Sequence, residues 1–142
     1  MSGIGVIGAG NMGSALIRGL IGSGKASGEA VRVYDVDRNN LLALEKELSV
    51  QVASRIEDVC DREVSVIVLA VKPQNLGEVL DSIAGQVSEK QILISIAAGI
   101  PTDFILSRFS DPAKVIRAMP NAAAMVGAIA TAMCTASGSR MT

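Results

Sequence analysis

Six residues near the start of the chain, Gly8-Ala9-Gly10-Asn11-Met12-Gly13, set three glycines in the spacing GxGxxG. The pattern alone is common. Here it closes a short β-type apolar run, Gly3–Ile7, and opens an amphipathic stretch, so it lies at a strand-to-helix turn. The chemistry of such a turn is pyrophosphate binding. Gly8 permits the tight turn, Gly10 lets the backbone approach phosphate oxygens, and Gly13 lets the helix pack on the strand. The helix N-terminus adds free N–H groups and a partial positive charge. Asp35 ends a second β-type run, Val31–Asp35, about 22 residues after Gly13. That is close to the spacing at which a carboxylate accepts from an adenosine ribose 2′-OH. It favours NAD, because a 2′-phosphate would meet a like charge. Arg38 could hold a 2′-phosphate if Asp35 turned away. NADP(H) and NAD(H) therefore both remain open.

What is missing from the 142 residues narrows the chemistry as well. There is no histidine, so the chain offers no His general acid, His triad or His-ligated metal. Cys60 and Cys134 form neither a disulfide framework nor a CxxC site. They read as reduced, buried thiols of a cytoplasmic protein. A net charge of −1 argues against a nucleic-acid or anionic-membrane partner. The three aromatics, Tyr34, Phe104 and Phe109, are too few for a base-stacking surface. The start MSGIGVIGAGNMG lacks a basic n-region and is broken by glycines, unlike a signal peptide. The longest apolar runs, Val64–Val71, Ile92–Ile100 and Ala122–Cys134, fall short of the roughly 18 to 20 residues a bilayer demands. They read better as strands of a sheet covered on both faces.

The elements that must position the loop follow from periodicity. Asn11–Ser23 predicts a helix with Leu16, Ile17, Leu20 and Ile21 on one stripe, stopped by Gly22 and Gly24. A second helix, Arg38–Leu48, carries Leu41, Leu44 and Leu48 on one face. Val50–Val52 reads as a short strand, and Ser54 as the cap of a short helix near Ile56–Cys60. Val64–Val71 is the strongest strand. Pro73 opens a helix with Leu76, Val79, Leu80 and Ile83 at i, i+3, i+4 and i+7. Gln91–Ile96, a short helix Pro101–Phe109, and Lys114–Met119 follow, with Val126–Cys134 as a seventh strand. Strand and helix alternate, which implies a Rossmann-type, doubly wound α/β fold. Its sheet is mainly parallel, with helices on both faces and right-handed crossovers. Residues 1–134 read as one domain, and residues 135–142 as a polar tail or linker.

Four segments, IGVIGAGNMGSALIRGL, LAVKPQ, ISIAAGI and VIRAMPN, together resemble the N-terminal domain of pyrroline-5-carboxylate reductase, from residue 3 to about residue 134. The resemblance implies reduction of the cyclic imine 1-pyrroline-5-carboxylate to L-proline by NADPH or NADH. It implies that Ile7, Gly8, Ala9, Gly10, Asn11 and Met12 wrap the pyrophosphate. Ala70, Val71, Lys72 and Pro73 end the fourth strand, where ligands of open α/β sheets bind, and Lys72 reaches the phosphates or ribose. Ala97, Ala98 and Gly99 are small enough for a nicotinamide ring to lie close. Asn121 lies near the nicotinamide or substrate. By a looser alignment Arg55 approaches the adenine ribose. Each has a plainer reading: a surface lysine, a loop of small residues, a turn residue after Pro120. The lack of histidine suits an imine, because a protonated imine brings its own proton and needs mainly to be oriented.

The resemblance also implies a second, all-helical domain that builds a homo-oligomer and binds the substrate carboxylate. The chain stops at Thr142 before it, so it is expected to bind nucleotide and to turn over poorly alone. Met125 and Met133 are candidates for the apolar surface that domain would cover, or else for ordinary core. Two other builds stay in view. One is a β-hydroxyacid dehydrogenase or a coenzyme-F420-linked NADP reductase. The other is a non-catalytic nucleotide-sensing module, as in potassium-channel regulatory domains.

Overall fold

The computed structural model describes residues 3–109, 113–119 and 121–138. In chain order the elements are β1 (Gly3–Ile7), α1 (Asn11–Gly22), β2 (Val31–Tyr34), α2 (Arg38–Leu48), β3 (Gln51–Val52), β4 (Val64–Leu69), α3 (Pro73–Ile83), β5 (Ile92–Ser95), α4 (Thr102–Leu106), β6 (Lys114–Arg117) and α5 (Ala122–Gly138), with 3₁₀ turns at Gly28–Ala30 and Ile56–Cys60. The strands form one sheet in the order β3-β2-β1-β4-β5-β6, and every pairing is parallel. The chain winds outward from β1 to β3, then crosses back to place β4 on β1's other side. That reversal splays the connections apart and opens a crevice at the carboxyl ends of β1 and β4.

The strands are apolar throughout because both faces are covered. Ile4 and Val6 of β1, Val66 and Val68 of β4, and Ile92 and Ile94 of β5 point to one side. There they meet Leu16, Ile17 and Leu20 of α1, Leu41 and Leu44 of α2, and residues of α5. The alternate residues Ile7, Ile67, Leu69 and Leu93 point to the other side, against Val59, Leu76, Leu80, Ile83 and Ile105. Register places Ile7 beside Tyr34 on one flank and Leu69 on the other, so three strands end level at the crevice.

Local signals set the helix ends. Asp37 caps α2, its Oδ1 accepting from Asn39 N at 2.9 Å. Pro73 stands in the first turn of α3, where its missing N–H costs nothing. Gln91 is 2% exposed and acts as a clamp. Its Nε2 donates to the carbonyls of Cys60, Asp61 and Val64 at 2.8–2.9 Å, while its Oε1 accepts from Ser88 N at 2.9 Å. The amide is thus saturated where β4 and β5 begin.

Four expectations are corrected. The expected seventh strand, Val126–Cys134, lies inside helix α5. Alanine and methionine, good helix formers, take nine of the seventeen positions of α5, which buries Met125, Ile129 and Ala132 at i, i+4 and i+7 rather than every second residue. The helix continues to Gly138, past the expected start of a polar tail at residue 135; residues 139–142 lie outside the described residues. The turn Ile56–Cys60 is capped not by Ser54 but from Arg55, whose N–H donates to Asp58 Oδ2 at 3.3 Å. Cys60 is buried as expected, but Cys134 is exposed, on the solvent side of α5. Met125 belongs to the core, and Met133 packs partly buried against it.

Candidate functional site

The glycine turn is built by close approaches. Gly8 has φ 108°, and a Cβ there would meet the Ala70 carbonyl oxygen at 2.7 Å. A Cβ at Gly13 would collide with the Gly8 carbonyl. Both positions must be glycine for the chain's own packing. Gly10 is different. Its φ and ψ, −75° and −158°, suit any residue, and a Cβ there would meet nothing within 4 Å. No contact among the described residues therefore requires glycine at this position. Gly10 is exposed and caps α1, whose first-turn N–H groups have no intrahelical acceptors. Bare donors, a positive helix end and an unshielded backbone together fit an anionic group that comes close.

Main-chain bonds tie the turn into the sheet. Gly8 N donates to Tyr34 O at 2.8 Å, and Ala70 N donates to Ile7 O at 2.8 Å. Beside it lies a cleft of about 540 Å³ at the β1/β4 reversal. β1 and its turn contribute Ile7, Gly8 and Gly10. The end of β2 contributes Tyr34, Asp35 and Val36, and the end of β4 contributes Ala70, Val71 and Lys72. The far wall is a face of α3, with Asn75, Glu78, Val79 and Ser82, and Asn40 and Ile56 complete it. Among the described lining residues Lys72 is the one cation, and Asp35 and Glu78 are the two carboxylates. The volume is that of a small-molecule site.

Seven expected residues therefore meet at one cleft: Ile7, Gly8, Gly10, Asp35, Ala70, Val71 and Lys72. The others stand around it. Ala9 is buried inside the turn, while Asn11 and Met12 are exposed on the first turn of α1. Pro73 begins α3. Arg38 is the exposed first residue of α2 and is not among the lining residues. Arg55 also stands outside the cleft wall, with its guanidinium 3.6 Å from Asp58. Ala97, Ala98 and Gly99 follow β5 at the same edge of the sheet, Ala97 buried and the other two exposed. Asn121 caps α5, its Oδ1 accepting from Ala124 N at 3.0 Å.

The sequence reading missed Tyr34, Val36, Asn40, Ile56, Asn75, Glu78, Val79 and Ser82. One signal was available for α3: Asn75, Glu78, Val79 and Ser82 form their own i, i+3, i+4, i+7 stripe beside the buried one. Val36 is 88% exposed, an apolar residue at a strand end that the core does not claim. No group of three or more metal-capable side chains lies together among the described residues.

A parallel sheet in this order, with a glycine turn at its reversal, defines the dinucleotide-binding class of α/β domains. Residues 3–99 match the family described as NADP oxidoreductase, coenzyme F420-dependent, and the chain belongs to that family. Among curated proteins it is 38% identical over 128 residues to pyrroline-5-carboxylate reductase of Methanosarcina acetivorans, covering 90% of this chain and 47% of that one. It is 35% identical over 125 residues to the Escherichia coli protein of the same name, covering 88% of this chain and 46% of that one. Among solved structures it superposes on a pyrroline-5-carboxylate reductase from Coxiella burnetii with a TM-score of 0.78 and 28% identity, over 83% of this chain and 43% of that one. It also matches the Plasmodium falciparum pyrroline carboxylate reductase with NADP bound, with a TM-score of 0.73 and 29% identity, over 89% of this chain and 45% of that one. The chain thus spans a little under half the length of the relatives it matches.

Proposed function

We propose that this chain is the nucleotide-holding part of a reductase that converts 1-pyrroline-5-carboxylate to L-proline with NADPH or NADH. The observation that carries the proposal is Gly10, a glycine that neither backbone conformation nor packing requires, at the open end of α1 beside the reversal cleft. In this reading the first turn of α1 holds the pyrophosphate, and Lys72 adds charge from the end of β4. Ala97, Ala98 and Gly99 give the nicotinamide room, and Asn121 offers its amide N–H groups at the same edge. Arg38 and Arg55 remain candidates for the adenosine end. The bound nucleotide supplies the hydride; the chain's own share is to hold and orient it. The longer enzyme is proposed to act as a homo-oligomer on a cyclic imino acid, in a reducing cytoplasm where thiols such as Cys60 and Cys134 stay free. The family's description favours a second reading, hydride exchange between NADP and coenzyme F420. Assaying both acceptors with one enzyme preparation separates the two.

The test is Gly10→Val. Because the new side chain projects into open space, the melting temperature is expected to fall by only a few degrees, the cost of replacing glycine at a helix N-cap. Calorimetry is expected to show NADPH affinity falling at least about tenfold, as branched carbons displace the phosphate from the N–H groups. Unchanged affinity in the variant overturns the proposal.

A further inference from the structure

Asp35 directly follows β2, where the sequence reading gives its carboxylate to a ribose hydroxyl. The structure commits that carboxylate elsewhere. Oδ2 accepts from the N–H of Ala9, 26 residues away in the chain, and Oδ1 accepts from Asp37 N at 2.8 Å. Ala9 is the residue between Gly8 and Gly10, and it is 2% exposed. Its carbonyl accepts from the Ser14 hydroxyl at 2.8 Å. Both main-chain polar groups of Ala9 are therefore held by side chains. Next to it, Gly8 N donates to Tyr34 O at 2.8 Å. Two successive N–H groups of the turn are thus gripped by two successive residues at the end of β2. A carboxylate that swung out to a ribose would strip a buried N–H of its acceptor, which is costly. A carboxylate shared between two N–H donors also presents less bare charge to a phosphate at the ribose.

We propose that Asp35 is a positioning residue for the phosphate-binding turn, acting through Ala9, and that it does not select NADH against NADPH. The role rests on the nucleotide reading above and adds to it: one carboxylate serves both nucleotides alike, so a 2′-phosphorylated dinucleotide is admitted.

The experiment titrates NADPH and NADH into the wild type, Asp35→Ala and Asp35→Asn, and follows amide hydrogen exchange at Ala9 in the nucleotide-free proteins. In Asp35→Ala, Ala9 exchange is expected to accelerate. Both affinities are expected to fall about tenfold with their ratio kept within about twofold, because a loosened turn misplaces the pyrophosphate common to both. Asp35→Asn retains one oxygen acceptor, which can serve Ala9 N while its NH2 replaces the oxygen that Asp37 N used, and is expected to restore Ala9 protection and part of both affinities. If Asp35→Ala does not fold, Asp35→Asn decides: protection at Ala9 with an unchanged ratio supports the role. A variant that tightens on NADPH while losing NADH overturns the role alone. So does loss of Ala9 protection with both affinities unchanged. A wild type that binds neither nucleotide overturns this role together with the function proposed above.

Discussion

The Cys60 thiol is 4% exposed, packed with Val59, Val64 and Ile67 on the side of the sheet that α3 covers. Burial first, and the nearby Glu57 charge second, push it from its ordinary 9.0 up to about 12. The nucleophilic form of a thiol is the thiolate, so in the folded protein Cys60 is core rather than chemistry. The shift also sets a pH dependence. In the unfolded chain the thiol ionises near 9.0, while in the folded chain it stays protonated to about 12. Between those values the unfolded state binds fewer protons, so the contribution is complete below 9.0 and drains away as pH rises toward 12. One unit of difference corresponds to ~1.4 kcal/mol. Urea unfolding at about pH 8 and about pH 10.5 is therefore expected to show the wild type losing ~2 kcal/mol more than Cys60→Ala over that interval. Equal losses in the two proteins would show that the thiol ionises freely in the fold.

At the scale of elements, periodicity told the truth where a helix has a wet side. Leu16, Ile17 and Leu20 of α1, and Leu76, Leu80 and Ile83 of α3, fall on the faces their spacing announces, and all are buried. Val64–Leu69 was legible for the opposite reason, since a run rich in Val and Ile, interrupted only by Ser65, needs cover on both sides. α5 was misread because its sequence, AAAMVGAIATAMC, is apolar almost everywhere and carries no period to choose between helix and strand. The bond from Asp35 to Ala9 was beyond reach for another reason: it depends on where β2 ends relative to β1, a register that spacing does not encode. The helical state of α5 has a direct consequence at Gly127. A Cβ there would meet nothing within 4 Å, so Gly127→Ala removes backbone freedom from the unfolded chain without a clash. It is expected to raise the unfolding free energy by about 0.5–1 kcal/mol in denaturant titrations. A loss of stability would mean that this segment is not an exposed helical interior.

The whole molecule offers its site along one edge rather than in one hole. The cleft covers the carboxyl ends of β2, β1 and β4, while Ala97–Gly99 and Asn121 stand beyond β5 and β6 on the same edge. From β2 to β5 is three strand spacings, about 14 Å at ~4.8 Å each, a length suited to a dinucleotide rather than a mononucleotide. In the proposed function the cleft takes the adenosine end and Gly10 the pyrophosphate, which leaves the β4–β5 side for the nicotinamide. Hydrogen exchange with saturating NADPH is therefore expected to slow at two separated places: the first turn of α1 with Ala70–Val71, and the segment Ala97–Gly99. Adenosine diphosphate, which lacks the nicotinamide, is expected to slow only the first. If NADPH and adenosine diphosphate leave the same footprint, the small residues after β5 do not hold the ring, and the hydride-bearing end of the nucleotide is positioned from elsewhere.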